Sequence, residues 1–188
     1  MIPKRWLAPV DERLLAALGY VVATDLLLDQ RDPPVIVAGA LDELAHLAST
    51  TLLAAGLGAP RDAPWLLGAA LGSVALDRDH VPGVFGPPIT GTRSERPFTH
   101  SFPALLAAGL VAARTRGRRG RAARGFGCGL ASHLFRDFAS GACGVPFWWP
   151  LSRRDVRLPR WLYLGTLAAL LWTASQRRAT LGRNRETD

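Results

Sequence analysis

Lysine is almost missing from this chain: Lys4 is the only one, so the formal net charge of +8 is carried by arginine. Such a basic balance suits either a nucleic-acid partner or the cytoplasmic loops of a membrane protein. There are two cysteines, Cys128 and Cys143. They form no CxxC pair, which excludes a disulfide framework or a zinc-finger scaffold and leaves both as small packing residues. Alternating β-branched residues are nearly absent, which argues against strands. A secretory leader is not expected, because Asp11, Glu12 and Arg13 interrupt the apolar stretch that should follow Lys4 and Arg5. No run reaches the 18 uncharged residues that mark a spanning helix unambiguously. The longest, Leu44–Pro60 and Pro97–Ala113, have 17.

What the chain does have is leucine and alanine, gathered into blocks. Hydrophobic residues make up 48 % of the 188, which by itself fits soluble and membrane proteins alike. The blocks predict an all-α helical bundle in one domain, with helices near 13–29, 34–57, 62–78, 101–115, 123–138 and 160–177. Pro33-Pro34, Gly58-Ala59-Pro60 and Pro159 punctuate them. Long loops are expected at 81–97 and 139–159, and a short basic tail after about 178.

Charge placement favours about six transmembrane or membrane-embedded helices over a soluble bundle. With helices alternating and both termini cytoplasmic, Arg114, Arg116, Arg118, Arg119, Arg121 and Arg124 share one cytoplasmic loop. Lys4, Arg5, Arg61, Arg177, Arg178, Arg183 and Arg185 fall on the same side, as the positive-inside rule requires. Arg153, Arg154, Arg157 and Arg160 are the exceptions. Trp148, Trp149 and Trp161 suit an outer interfacial belt, and Trp65 and Trp172 an inner one. The arginine-rich stretch has no interleaved aromatics for base stacking, which favours anionic lipid over nucleic acid as its partner.

Histidine carries the chemistry. The four histidines each stand beside other donors: Asp42-Glu43-Leu44-Ala45-His46, Asp77-Arg78-Asp79-His80, Thr99-His100-Ser101 and His133-Leu134-Phe135-Arg136-Asp137. Residues four apart share a helix face, so Asp42 with His46, and His133 with Asp137, can point into one cavity. Asp77 and His80, three apart at a helix end, can do the same. The alternating topology sends the pieces around residues 77–80, 100 and 133–137 to one membrane face, with Asp42 and His46 deeper in the same half. A single histidine in an apolar helix is ordinarily a hydrogen-bonded core residue. Four, each beside other donors, point to a metal site, because buried ionisable groups are costly unless paired or metal-bound. Asp25 has no such neighbours and is read as a structural residue standing alone.

These residues resemble the YdjM-like family of LexA-binding, inner-membrane-associated, metal-dependent hydrolases. The resemblance rests on Leu76-Asp77-Arg78-Asp79-His80-Val81-Pro82, on Arg96-Pro97-Phe98-Thr99-His100-Ser101, and on His133 to Asp137 followed by Gly141, Gly144 and Pro150. It covers about residues 40–152. Glu95 stands where that family often has a histidine. The His-x-x-x-Asp helix is also similar, more loosely, to the zinc phospholipase C and P1-nuclease group. The resemblance implies an inner-membrane metallohydrolase.

The expected ligand set is Asp42, His46, Asp77, Asp79, His80, His100, His133 and Asp137. Eight donors exceed what a single catalytic zinc needs, which suggests two divalent ions, zinc first and manganese as the alternative. Glu43 or Glu95 can accept the proton of a metal-bound water, or be solvated carboxylates. Arg96 and Arg136 can grip a phosphate, or neutralise the aspartates beside them. The expected function is hydrolysis of a phosphoester or lipid-linked substrate at the membrane. The alternative is a non-catalytic membrane protein in which a structural metal ties helices together.

Overall fold

The computed structural model describes residues 10–77, 96, 98–140 and 144–186. Among them are six helices: α1 (Glu12–Gln30), α2 (Val35–Leu57), α3 (Ala63–Val74), α4 (Phe102–Arg114), α5 (Gly117–Ser140) and α6 (Arg160–Glu186). The one extended pairing described is an isolated bridge between Val145 and Val156. The all-α expectation holds.

Local chemistry sets the helix ends. The Asp11 carboxylate accepts from the Arg13 and Leu14 amides and caps α1, and Asp62 accepts from Trp65 N and caps α3. α2 starts directly after Pro33-Pro34 and stops at Gly58, whose φ of +67° is the left-handed turn glycine adopts without strain.

Three boundaries depart from expectation, all for one reason: apolar content was the guide. α5 begins at Gly117 rather than 123, and α6 runs to Glu186 rather than 177. Arginine is the commonest residue of the added turns, and it is a strong helix former even with no apolar face to bury. Much of the expected basic loop and tail is therefore helical. Conversely, α3 ends at Val74 rather than 78, and the chain turns before Asp77.

The helices form two groups. Leu14 and Val21 of α1, Ala45 and Leu52 of α2, and Tyr163, Leu167 and Leu171 of α6 make one core. Leu130 and Leu134 of α5, with Leu76 and the flanking Leu105 and Ala108 of α4, make the other. Within the second group α3 lies directly on α5. A side chain at Gly68 or Gly72 would strike the Ala122 or Phe126 backbone, and one at Gly125 or Gly129 would strike Trp65 or Ala69. Small residues spaced by four on both partners let the two backbones touch.

α2 is the one helix among the described residues long and apolar enough to cross a membrane, and only 28 % of its most apolar window is buried. α3 and α4 are apolar but shorter. Ile36 is 81 % exposed, and Val35, Leu67, Val111 and Trp161 also face outward. So much outward apolar surface on helices is the pattern of a surface that meets something other than water.

Candidate metal centre

The cluster sits where the two helix groups meet. Asp42 and His46 come from α2; Asp77 follows α3; His100 precedes α4; His133 and Asp137 come from α5. His46, His100, His133 and Asp137 are fully buried, whereas Asp42 and Asp77 keep side-chain exposures of 32 % and 19 %. The cluster is therefore closed on the histidine side and open on the side of two carboxylates.

The donor atoms are arranged in two halves. His46 Nε2 lies 3.6 Å from Asp42 Oδ2, from Asp77 Oδ2 and from Asp137 Oδ1. His133 Nε2 lies 3.5 Å from Asp77 Oδ1 and 3.1 Å from Asp137 Oδ2, and His100 Nε2 lies 3.9 Å and 3.4 Å from the same two oxygens. Asp77 and Asp137 thus each turn one oxygen toward His46 and the other toward the His100–His133 pair. The His46 and His133 rings stack, with centroids 3.8 Å apart and planes 9° from parallel.

These distances fit a divalent ion better than hydrogen bonds. Two donors each about 2.1 Å from one tetrahedral ion stand about 3.4 Å apart. His46 Nε2, His133 Nε2 and Asp137 Oδ1 are buried without a hydrogen-bond partner, a costly state that a shared cation removes. Asp77, His100, His133 and Asp137 form one group able to hold an ion, and Asp42, His46 and Asp77 form another.

Surrounding groups orient the donors. His133 Nδ1 donates to the Ser73 carbonyl at 2.7 Å, which leaves Nε2 as the bare nitrogen facing the carboxylates. The α3–α5 glycine contact makes that bond geometrically possible. Arg96 Nη1 donates to Asp137 Oδ2 at 2.6 Å. Arg136, fully buried, donates from Nη2 to Asp42 Oδ1 at 2.7 Å and lies 2.8 Å from Asp25 Oδ1. Although burial opposes ionisation of Asp77, the facing His100, His133 and His46 hold its carboxyl below the ordinary carboxylate range.

Six of the eight expected ligands, Asp42, His46, Asp77, His100, His133 and Asp137, converge. Asp79, His80 and Glu95 lie outside the described residues. Glu43 is half-buried on α2 beside Asp42 and is not among the converging donors. Arg96 and Arg136 both bond to cluster aspartates. Asp25 is the correction: it does not stand alone but sits against Arg136. Its position in an apolar helix was the available signal, because a buried carboxylate demands a counter-charge. Ser73 carries no such signal, since it acts through its backbone.

Residues 41–186 match the YdjM inner membrane protein family. The chain belongs to that family. No curated protein and no solved structure matches it. The YdjM match runs from within α2 through the last helix and so includes every converging donor. It leaves out α1, and with it Asp25, the counter-charge behind Arg136.

Proposed function

We propose that this YdjM-family protein is a membrane-embedded metal-dependent hydrolase acting on a phosphoester or lipid-linked substrate. The observation that carries the reading is the division of Asp77 and Asp137, each with one oxygen toward His46 and the other toward His100 and His133. Two carboxylates shared between two imidazole-lined halves suit a pair of divalent ions. Nitrogen and oxygen donors favour zinc, with manganese as the alternative. Bound there, such ions supply an activated water near neutral pH and a clamp for the attacked oxygen.

The chain's own residues supply the rest. His133 is locked in one tautomer by Ser73. Arg136 holds Asp42 by Oδ1, leaving Oδ2 on the His46 side. Arg96 stands at the edge of the cluster with modest exposure, where a guanidinium can divide its N–H groups between Asp137 and a substrate oxygen. A cleft of about 300 Å³, whose walls include Asp25, Arg96, Arg136 and Arg160, reaches the cluster at Asp42. That approach, ending at the partly exposed carboxylate of Asp42, favours a catalytic site over a closed structural one. In the proposed topology the six helices cross the membrane with both termini cytoplasmic and the cluster toward the outer face.

The test is elemental analysis of detergent-purified protein beside a His80→Ala/His133→Ala double variant, followed by assay on phosphoester and lipid-phosphate substrates. One or two equivalents of transition metal and a hydrolytic activity, both lost in the variant, are expected. Metal without activity on any such substrate would favour a structural ion. No metal after reconstitution with zinc or manganese would end the hydrolase reading.

A further inference from the structure

The seam between α2 and α3 contains a second cavity, of about 230 Å³, that runs from Leu47, beside His46, to Arg61 and Arg178. Its walls are Leu47, Ala54 and Ala55 of α2 and Trp65, Ala69 and Ala70 of α3. Both stripes follow helical spacing, and their alanines leave the space open. α3 commits its glycine face to α5, so this alanine face is what remains for α2.

Two features identify an occupant. The first is length. Along α2 the lining runs from Leu47 to Ala55, about 12 Å at 1.5 Å per residue, which is close to the depth of one leaflet of the ~30 Å hydrocarbon core. The second is charge. Arg61 and Arg178 line the mouth, and Arg177 lies against Gly58 beside it. Leu47 and Thr50, one and four residues after His46, line the other end. Thr50 Oγ1 is buried there without a hydrogen-bond partner. Arg178 pairs with Asp11, while Arg61 is exposed.

We infer that this groove holds one acyl chain of an anionic phospholipid, its phosphate on Arg61 and Arg178. The arginine end of the bundle then sits at the headgroup level, where basic side chains attract anionic lipid. The chain fills a gap between the two helices that deliver His46 and Asp77. The inference stands apart from the hydrolase reading, because the groove's arginines are remote from the cluster.

The test uses full-length protein reconstituted into nanodiscs of equal phosphatidylglycerol and phosphatidylethanolamine, then extracted, with retained lipid counted by native mass spectrometry. Retention of phosphatidylglycerol over phosphatidylethanolamine is expected in the wild type. Ala70→Phe, which fills the groove, should lose that retained lipid while keeping its metal content. Arg61→Gln, on an exposed loop, should keep a bound lipid but lower the phosphatidylglycerol preference about fivefold, the factor one arginine contributes near a membrane surface. Equal retention of both lipids by the wild type, or unchanged preference in Arg61→Gln, would overturn the inference.

Discussion

His133 and Ser73 are joined across the α3–α5 seam by a 2.7 Å hydrogen bond from Nδ1 to the carbonyl. The bond does two things at once. It fixes which imidazole nitrogen faces the carboxylates, and it ties the His/Asp cluster to the seam where the α3 and α5 backbones touch. Gly129, one turn before His133, is part of that contact. A Cβ there would stand 2.7 Å from Ser73 N and strike the Ala69 carbonyl.

Gly129→Val should therefore damage the site without touching a donor. Overpacking of this kind costs about 1–3 kcal/mol, and the displaced Ser73 carbonyl would release His133. Metal content and melting temperature should fall together. Gly127→Ala, where nothing lies within 4 Å of the added carbon, is the control and should change neither. A Gly129→Val protein with full metal content would show that the seam does not position the site.

Arg136 is held between Asp25 of α1 and Asp42 of α2, and its side chain and that of Asp25 are 1 % and 3 % exposed. Removing one partner of a buried ion pair costs about 3–5 kcal/mol. Arg136→Met should lose about that much stability by chemical denaturation. The double variant Arg136→Met/Asp25→Leu, which removes the stranded charge, should recover most of it. Equal losses in the single and double variants would show that the pair contributes through packing rather than charge.

Chelation supplies a third test. His46 Nε2, His133 Nε2 and Asp137 Oδ1 are buried without a hydrogen-bond partner, so an ion bound there would stabilise the folded state over the unfolded one. At a free metal concentration a hundredfold above Kd this contributes about 2.7 kcal/mol. Treatment with a strong chelator should lower the melting temperature, and zinc or manganese should restore it. His46→Ala should melt lower and respond less to added metal. A melting curve indifferent to chelator would argue against a bound ion.

A fourth concerns the membrane. The exposed apolar faces of α2, α3 and α4 should keep the protein in the pellet after alkaline carbonate washing of membranes, and detergent should be required to release it. Release by carbonate alone would assign those faces to a protein partner instead of lipid.

Much of this was legible along the chain. The helical blocks, their punctuation by proline and glycine, and the pairing of histidines with carboxylates at i,i+4 are local properties. They depend on spacing and side-chain chemistry that no distant contact can change. His46 and Asp42, and His133 and Asp137, were therefore identifiable as co-facing donors from sequence alone. The polar extensions of α5 and α6 were less legible, because a helix stabilised by arginine and alanine leaves no apolar period to read.

Only the tertiary structure decided how the halves of the site share their carboxylates. That Asp77 faces His46 with one oxygen and His133 with the other depends on where α3 stops and how closely it lies on α5. That closeness comes from four glycines on two helices, and their effect exists only when the helices meet. Asp25 and Arg136 are 111 positions apart, and Ser73 and His133 are 60 apart. A charge declares in sequence that it needs a partner. Which partner it finds is a matter of packing in three dimensions.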